Sequence, residues 1–189
     1  MAAADLAARA RRVRLVTCDV DGVLTDGSVY VAEDGSELKA YSSLDGLGVK
    51  WLLRSGVEVA WITGSSAGAV AQRAAMLGVR HVHQSADDKL EAWQRLCATL
   101  ELEPAQCAHI GDDFPDLPIL LRCGMAVTVP HAPDALQRRA DYVTKRGGGN
   151  GAVRELAELI LSAQGKLDAL LAAYGGAAGA PPDARVRRL

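Results

Sequence analysis

Short runs of β-branched and aliphatic residues alternate along this chain with longer stretches whose apolar positions recur every three or four residues. The first run, residues 13–19 (VRLVTCD), predicts a strand buried on both faces. The residues before it, 4–12, predict a short polar helix or a frayed arm. Residues 28–32 and 36–41 alternate in polarity and are separated by Glu33-Asp34-Gly35, which predicts a β-hairpin. Residues 45–55 carry Leu47, Trp51 and Leu52 on one helical face, and Gly56 stops that helix.

The alternation continues to the far end of the chain. Residues 57–63 (VEVAWIT) predict a second core strand, 67–77 a helix closed by Gly78, 80–83 a short strand, and 87–100 a helix with Pro104 soon after it. Strands are predicted at 107–110, 125–129 and 142–144, with short helices at 115–123 and 133–140 between them. The run Gly147-Gly148-Gly149 precedes one last helix over about 151–173, and the tail 175–189 reads as flexible. Strands separated by helices argue for an α/β fold, a doubly wound parallel sheet with helices on both faces. The hairpin follows the first strand directly, at the edge where such sheets place their sites.

Composition narrows the function classes. With 189 residues the chain suits one domain, taken as 1–174 with the hairpin flap at about 28–42. Lys plus Arg number 21 and Asp plus Glu 23, a net charge of −2, which gives no electrostatic footprint for nucleic acid or an acidic membrane. No apolar stretch reaches the length of a spanning helix. The N-terminal residues lack the apolar segment and cleavage site of a signal peptide, and no transit peptide is expected. Aromatics make up only 4%, so the core is expected to consist of Ala, Val, Leu and Ile. Cys18, Cys97, Cys107 and Cys123 fit neither a Cys-x-x-Cys motif nor a zinc spacing, and predict buried small apolar residues in a reducing cytoplasm.

The chemistry gathers at predicted strand ends. Asp19-Val20-Asp21-Gly22 closes the first strand, and a spacing of two points both carboxylates one way if the strand stays extended. Gly111-Asp112-Asp113-Phe114-Pro115-Asp116 follows another strand. Acids leaving buried strands together need a cation or hydrogen bonds, and an oxygen-rich set favours Mg²⁺ over zinc. Thr63-Gly64 ends a third strand, and Lys89 opens a helix after Asp87-Asp88. Each piece alone is an ordinary turn, cap or strand end. The four in this order describe a phosphoryl-transfer site.

On these four motifs the chain resembles the haloacid dehalogenase superfamily of phosphohydrolases over about residues 13–165. More narrowly, DVDGVLTDG (19–27), LKAYSSLDGLG (38–48), ITG (62–64) and GGGNGAVRELAELIL (147–161) are similar to its phosphatases of 3-deoxy-D-manno-octulosonate 8-phosphate (Kdo8P). The resemblance implies a Rossmann-like sheet with a hairpin flap and no large cap domain. It implies Asp19 as the nucleophile, forming an aspartyl-phosphate, and Asp21 as general acid and then base. Mg²⁺ would be held by the Asp19 side chain, the Asp21 backbone carbonyl and the Asp112 side chain. Asp113 and Asp116 would support those ligands from behind. Thr63 and Lys89 would stabilise the transferring phosphoryl group.

The positions that match the family's sugar-acid contacts are Ser42, Ser43, Leu44, Asp45, Gly46, Lys50, Gly64, Ser65 and Arg73. Ser65 and Leu44 depart from the arginines that family members often carry there, and a serine lacks arginine's bidentate grip on a carboxylate. The implied partner is a small sugar acid phosphate in lipopolysaccharide biosynthesis. The implied assembly is a homotetramer with sites near subunit interfaces. The hairpin's Val29, Val31, Leu38, Ala40 and Tyr41 are too apolar for a solvated flap. Docking of 147–151 or the tail into a neighbouring site stays open. So do two other readings: a phosphatase for a nine-carbon sugar acid phosphate of the sialic acid type, and an idle module that only drives tetramerisation.

Overall fold

The computed structural model describes residues 3–175. The chain opens with α1 (Ala3–Arg12) and enters β1 (Leu15–Cys18). A hairpin of β2 (Tyr30–Val31) and β3 (Glu37–Leu38) follows, then α2 (Ser43–Arg54), β4 (Glu58–Ile62), α3 (Gly68–Leu77), β5 (His81–His83) and α4 (Lys89–Thr99). The second half runs β6 (Cys107–Ile110), α5 (Leu117–Leu120), β7 (Met125–Thr128), α6 (Asp134–Gln137), β8 (Tyr142–Val143), α7 (Ala152–Ala163) and α8 (Leu167–Gly175).

Six strands pair in parallel in the order β5-β4-β1-β6-β7-β8. The chain winds outward from β1 to β5, then crosses back and builds the other half from β6. The direction of winding reverses beside β1, and the carboxyl ends of β4, β1 and β6 meet there. Successive residues of a strand face opposite sides. Val16 and Cys18 of β1 therefore join the larger apolar layer, with Val49 and Leu52 of α2 and Val153, Leu156 and Ile160 of α7. Leu15 joins the smaller layer, with Trp93 and Leu96 of α4 and Ile119 of α5.

Several expectations need correction. Low aromatic content does not make the core purely aliphatic, because Trp51, Trp61 and Trp93 are among its largest fully buried side chains. The first segment is a helix and not a frayed arm, with Ala10 wholly buried. The hairpin strands shrink to two residues each, with Tyr30, Val31 and Leu38 exposed. The segment predicted as a helix at 115–123 is a 3₁₀ turn (Phe114–Asp116) followed by one turn of α5, and α6 is only four residues long. The single last helix is two, because the chain turns at Gly165 with φ +67° between α7 and α8. Gly175 still belongs to α8, and the rest of the proposed tail lies outside the described residues.

The segment after β8 fixes the loop that leaves β1. Gly149 N–H donates to the Val23 carbonyl at 2.9 Å. A Cβ on Gly148 would stand 1.8 Å from the Gly22 carbonyl oxygen, so the two backbones touch. Gly148 and Gly149 are thus engaged with their own chain's Asp-x-Asp-Gly turn. Asp45 continues the same seam: its buried carboxylate accepts Gly151 N–H at 3.0 Å and Arg154 N–H at 2.9 Å, capping the start of α7 from α2. Gly148→Ala is expected to cost about 1–3 kcal/mol by overpacking, seen as a fall of several degrees in Tm. Gly147→Ala is the control, since a Cβ there meets nothing nearer than His131 Nδ1 at 3.8 Å. Equal Tm values for the two variants would contradict the close packing.

Candidate active site

Register places the four motifs on one edge. Cys18 pairs with Trp61 and with Ile110, so Asp19, Thr63 and Asp112 each lie one or two residues past the end of three adjacent strands. Asp19 follows β1 directly and is almost fully buried. Its backbone N–H donates to the Ile110 carbonyl at 3.0 Å, which ties the residue to β6. Lys89, the first residue of α4, reaches in from the second layer. Its Nζ lies 2.8 Å from Asp19 Oδ1 and 2.8 Å from Asp116 Oδ1. Asp88 holds the start of that helix by accepting Glu91 N–H.

Asp19, Asp112 and Asp116 each bring a carboxylate oxygen within 4.8 Å of the others. Burial pushes the Asp19 carboxyl up to about 6; the Asp116 charge adds to the rise and Lys89 opposes it. Burial and the charge of Asp19 push Asp112 up to about 8. Burial also acts to raise Asp116, but hydrogen bonds and charge from His109 and Lys89 outweigh it and hold that group below the usual carboxylate range. Lys89 is held above its ordinary value, since Asp116 and Asp19 outweigh its burial. Asp116 Oδ2 is buried without a hydrogen-bond partner among the described residues. Hard oxygens held together in excess of local cations fit Mg²⁺. The ligand set implied by the resemblance, Asp19, Asp112 and the Asp21 carbonyl, includes two of the three side chains that meet here. The glycine after Asp21 is required here, because a Cβ on Gly22 would meet Asp112 Oδ2 at 2.0 Å.

Other members of the expected set are placed differently. Asp21 does not continue the strand but lies in the turn after it, and Lys39 Nζ donates to its Oδ1 at 2.6 Å. The Thr63 hydroxyl is buried and accepts Ser65 N–H at 3.0 Å, while Gly64 is exposed. The Asp113 side chain turns away from the cluster, is exposed, and caps the next turn by accepting Phe114 N–H at 2.8 Å. The Asp45 carboxylate is spent on capping α7, so it does not face a sugar. Ser42 caps α2 through Leu44 N–H, and Ser65 Oγ accepts Ala67 N–H. Leu44 is exposed.

Ser43, Gly46, Lys50 and Arg73 do come together, lining a cavity between α2 and α3. Arg73 lies over the Tyr41 ring, 5.9 Å from its centre, and Tyr41 in turn feels the charge of Asp21. Arg73 Nε and Tyr41 OH are both buried without a partner among the described residues. Lys39 and His109 were not singled out from the sequence. Lys39 is one basic residue in an otherwise apolar run, and His109 is hidden inside a strand. Cys97 and Cys107, expected as isolated, meet with Sγ atoms 3.6 Å apart.

A parallel sheet whose central strand delivers a buried aspartate to a lysine and a second acidic turn is the arrangement of haloacid dehalogenase-like hydrolases, and the profile of that family matches residues 78–156. The Kdo8P phosphatase of Yersinia pestis is 46% identical over 164 residues, covering 87% of this chain and 88% of the relative. That of Escherichia coli is 47% identical over 165 residues, with the same coverage. A crystal structure of the Moraxella catarrhalis Kdo8P phosphatase, in complex with magnesium, phosphate and Kdo, matches with a TM-score of 0.90 at 42% identity, covering 92% of this chain and 99% of that one. The chain belongs to the haloacid dehalogenase-like hydrolases and, within them, to the family of these Kdo8P phosphatases.

The raised carboxyls have a consequence for stability. Asp19 and Asp112 bind a proton more tightly folded than at their ordinary value of 3.8. Between that value and about 8 the native state therefore holds more protons than the unfolded chain. Their contribution to metal-free stability is full below the window and is lost as pH rises through about 6 and then 8. Mg²⁺ replaces those protons. Thermal unfolding with chelator and with Mg²⁺ is expected to show a larger Mg²⁺-induced rise in Tm at pH 8 than at pH 5. An equal rise at both would place the metal elsewhere.

Proposed function

We propose that this chain is the Mg²⁺-dependent phosphatase that hydrolyses Kdo8P to Kdo and phosphate, the step that supplies the free sugar acid for lipopolysaccharide. The observation that carries this reading is Asp19: a buried carboxylate at the end of the central strand, with Lys89 2.8 Å away and Asp112 beside it. Family membership with Kdo8P phosphatases supports the substrate.

Asp19 attacks phosphorus in line with the leaving alkoxide, and the phosphoryl group passes to its carboxylate. Asp19, Asp112 and the Asp21 carbonyl would hold Mg²⁺, whose positive charge would offset repulsion between carboxylate and phosphate. Lys89 places its ammonium where charge gathers on the equatorial oxygens, and the Thr63 hydroxyl, which accepts Ser65 N–H and keeps its own proton to donate, adds a donor on the other side. Asp21 protonates the leaving oxygen and then takes a proton from the water that cleaves the aspartyl-phosphate. Arg73 and Lys50, which line the cavity between α2 and α3, offer two cations to the sugar acid. Ser65 serves the turn after β4, so its difference from an arginine falls on substrate identity or affinity and not on the chemistry.

Residues 1–174 form the one catalytic unit in this reading, with residues 28–42 as its flap. No helix among the described residues is long and apolar enough to cross a membrane. The four free thiols suit a reducing cytoplasm. The flap points to the assembly. Val29, Tyr30, Val31 and Leu38 are 50–66% exposed on a hairpin too short to stand alone, which suits packing against further copies in a homotetramer.

Phosphate release with Mg²⁺ is expected to favour Kdo8P over nine-carbon sugar acid 9-phosphates by at least about a hundredfold in kcat/KM, near 2.7 kcal/mol. A preference for the nine-carbon substrate would move the assignment to that class and leave Asp19 and Asp21 in place. Asp19→Asn is expected to abolish turnover with the fold and oligomer intact; retained activity would refute the nucleophile. Val31→Asp with Leu38→Asp is expected to convert a tetramer to smaller species by light scattering and to lower kcat/KM. An unchanged mass would remove the flap from the interface.

A further inference from the structure

Thr17 and His109 are polar residues in an apolar place. They face each other across the β1–β6 ladder, on the side of the sheet occupied by Leu15, Cys107, Trp93 and Ile119. Both are fully buried. An aliphatic pair would fill the same volume without the cost of burying two polar groups. What the polar pair does is reach the carboxylate cluster from below. Thr17 Oγ1 lies 2.8 Å from His109 Nδ1, and His109 Nε2 lies 3.2 Å from Asp116 Oδ1. That same oxygen accepts Lys89 Nζ at 2.8 Å.

The partners assign the proton. Asp116 Oδ1 already accepts from Lys89, so an N–H is required on His109 Nε2, since two lone pairs would repel there. Thr17 Oγ1 keeps the ring in register at the other nitrogen, and its single proton goes either to Nδ1 at 2.8 Å or to the Ala108 carbonyl at 3.3 Å. Asp116 has no other side-chain partner among the described residues, and its Oδ2 has none at all. Two donors from two directions therefore set the plane of the carboxylate, and the carboxylate sets where the Lys89 ammonium points.

We propose that Thr17 and His109 are positioning residues for the phosphoryl-transfer step, acting through Asp116 to hold Lys89 between Asp116 and Asp19. Neither touches the substrate. Without them Asp116 rotates, and Lys89 is left to pair with Asp19, which ties up the nucleophile and withdraws a cation from the phosphoryl oxygens. The inference rests on the phosphatase reading of this site.

The test uses the full chain with Mg²⁺ and Kdo8P. His109→Phe keeps the ring and removes both hydrogen bonds; it is expected to lower kcat about tenfold, with KM within about twofold. His109→Gln retains an N–H near the Nε2 position and is expected to recover most of the loss. Thr17→Val is expected to lower kcat in the same sense, and Thr17→Ser to restore it. The double variant Thr17→Val with His109→Phe is expected to be no slower than His109→Phe alone, because the two residues act as one unit. ¹⁵N-histidine spectra of the wild type, assigned with His109→Gln, are expected to show the proton on Nε2.

A folded His109→Phe with kcat within about twofold of wild type would overturn the proposal, as would additive losses in the double variant or an unprotonated Nε2. If His109→Phe fails to fold, the Val and Ser pair at Thr17 decides: equal kcat for the two refutes it. An active wild type with indifferent variants sinks this inference alone, whereas an inert wild type sinks the phosphatase reading and this inference with it.

Discussion

Three carboxylates share less than 5 Å of space with one ammonium group, and the rest of the molecule is arranged around making that tolerable. Like charges this close cannot all stay ionised without compensation. Lys89 neutralises part of the cluster, His109 donates to another part, and protons or a divalent ion take up the remainder. The sheet supplies the geometry. β1 and β6 are held in register from Leu15 to Cys18, so the two acidic turns leave the sheet side by side.

The cluster is steadied from two sides by segments far away in the sequence. From the larger layer, the glycine run before α7 presses on the Asp-x-Asp-Gly turn, and Asp45 locks α7 to α2 beside it. From the smaller layer, α4 delivers Lys89, and the 3₁₀ turn at Phe114–Asp116 returns Asp116 beneath it. The flap makes the one approach from the open edge, where Lys39 meets Asp21 with its side chain 2% exposed. Charge that would be costly on a loose loop is therefore framed by backbone contacts that have little room to move.

What could be read from the sequence follows from how local each signal is. Asp19, Thr63, Lys89 and Asp112 were legible because each marks the end of a strand or the start of a helix, and apolar patterning places those boundaries. Gly148 was legible as a loop but not as a wedge, since its partner is Gly22, more than a hundred residues away. Asp45 and Asp113 misled for a related reason. Both sit in the right motif, yet Asp113 is taken by the N–H of the next residue and Asp45 by N–H groups of α7 more than a hundred residues on, neither of which spacing reveals. Lys39 and His109 escaped notice because their neighbours are apolar and their partners come from other elements. The split of α7 from α8 was missed because both halves carry the same apolar spacing.

The contact between Gly148 and Gly22 also bears on how the protein is made. A nascent chain leaving the ribosome carries the Asp19 turn early, but β6 appears only after residue 106 and the glycine wedge only after residue 147. Until then the turn has neither its neighbouring strand nor the backbone it packs against. Vectorial synthesis thus delays the packing of this turn until residue 149 has emerged. Fragments that end before Gly148 carry Asp19 on a turn that lacks its backstop.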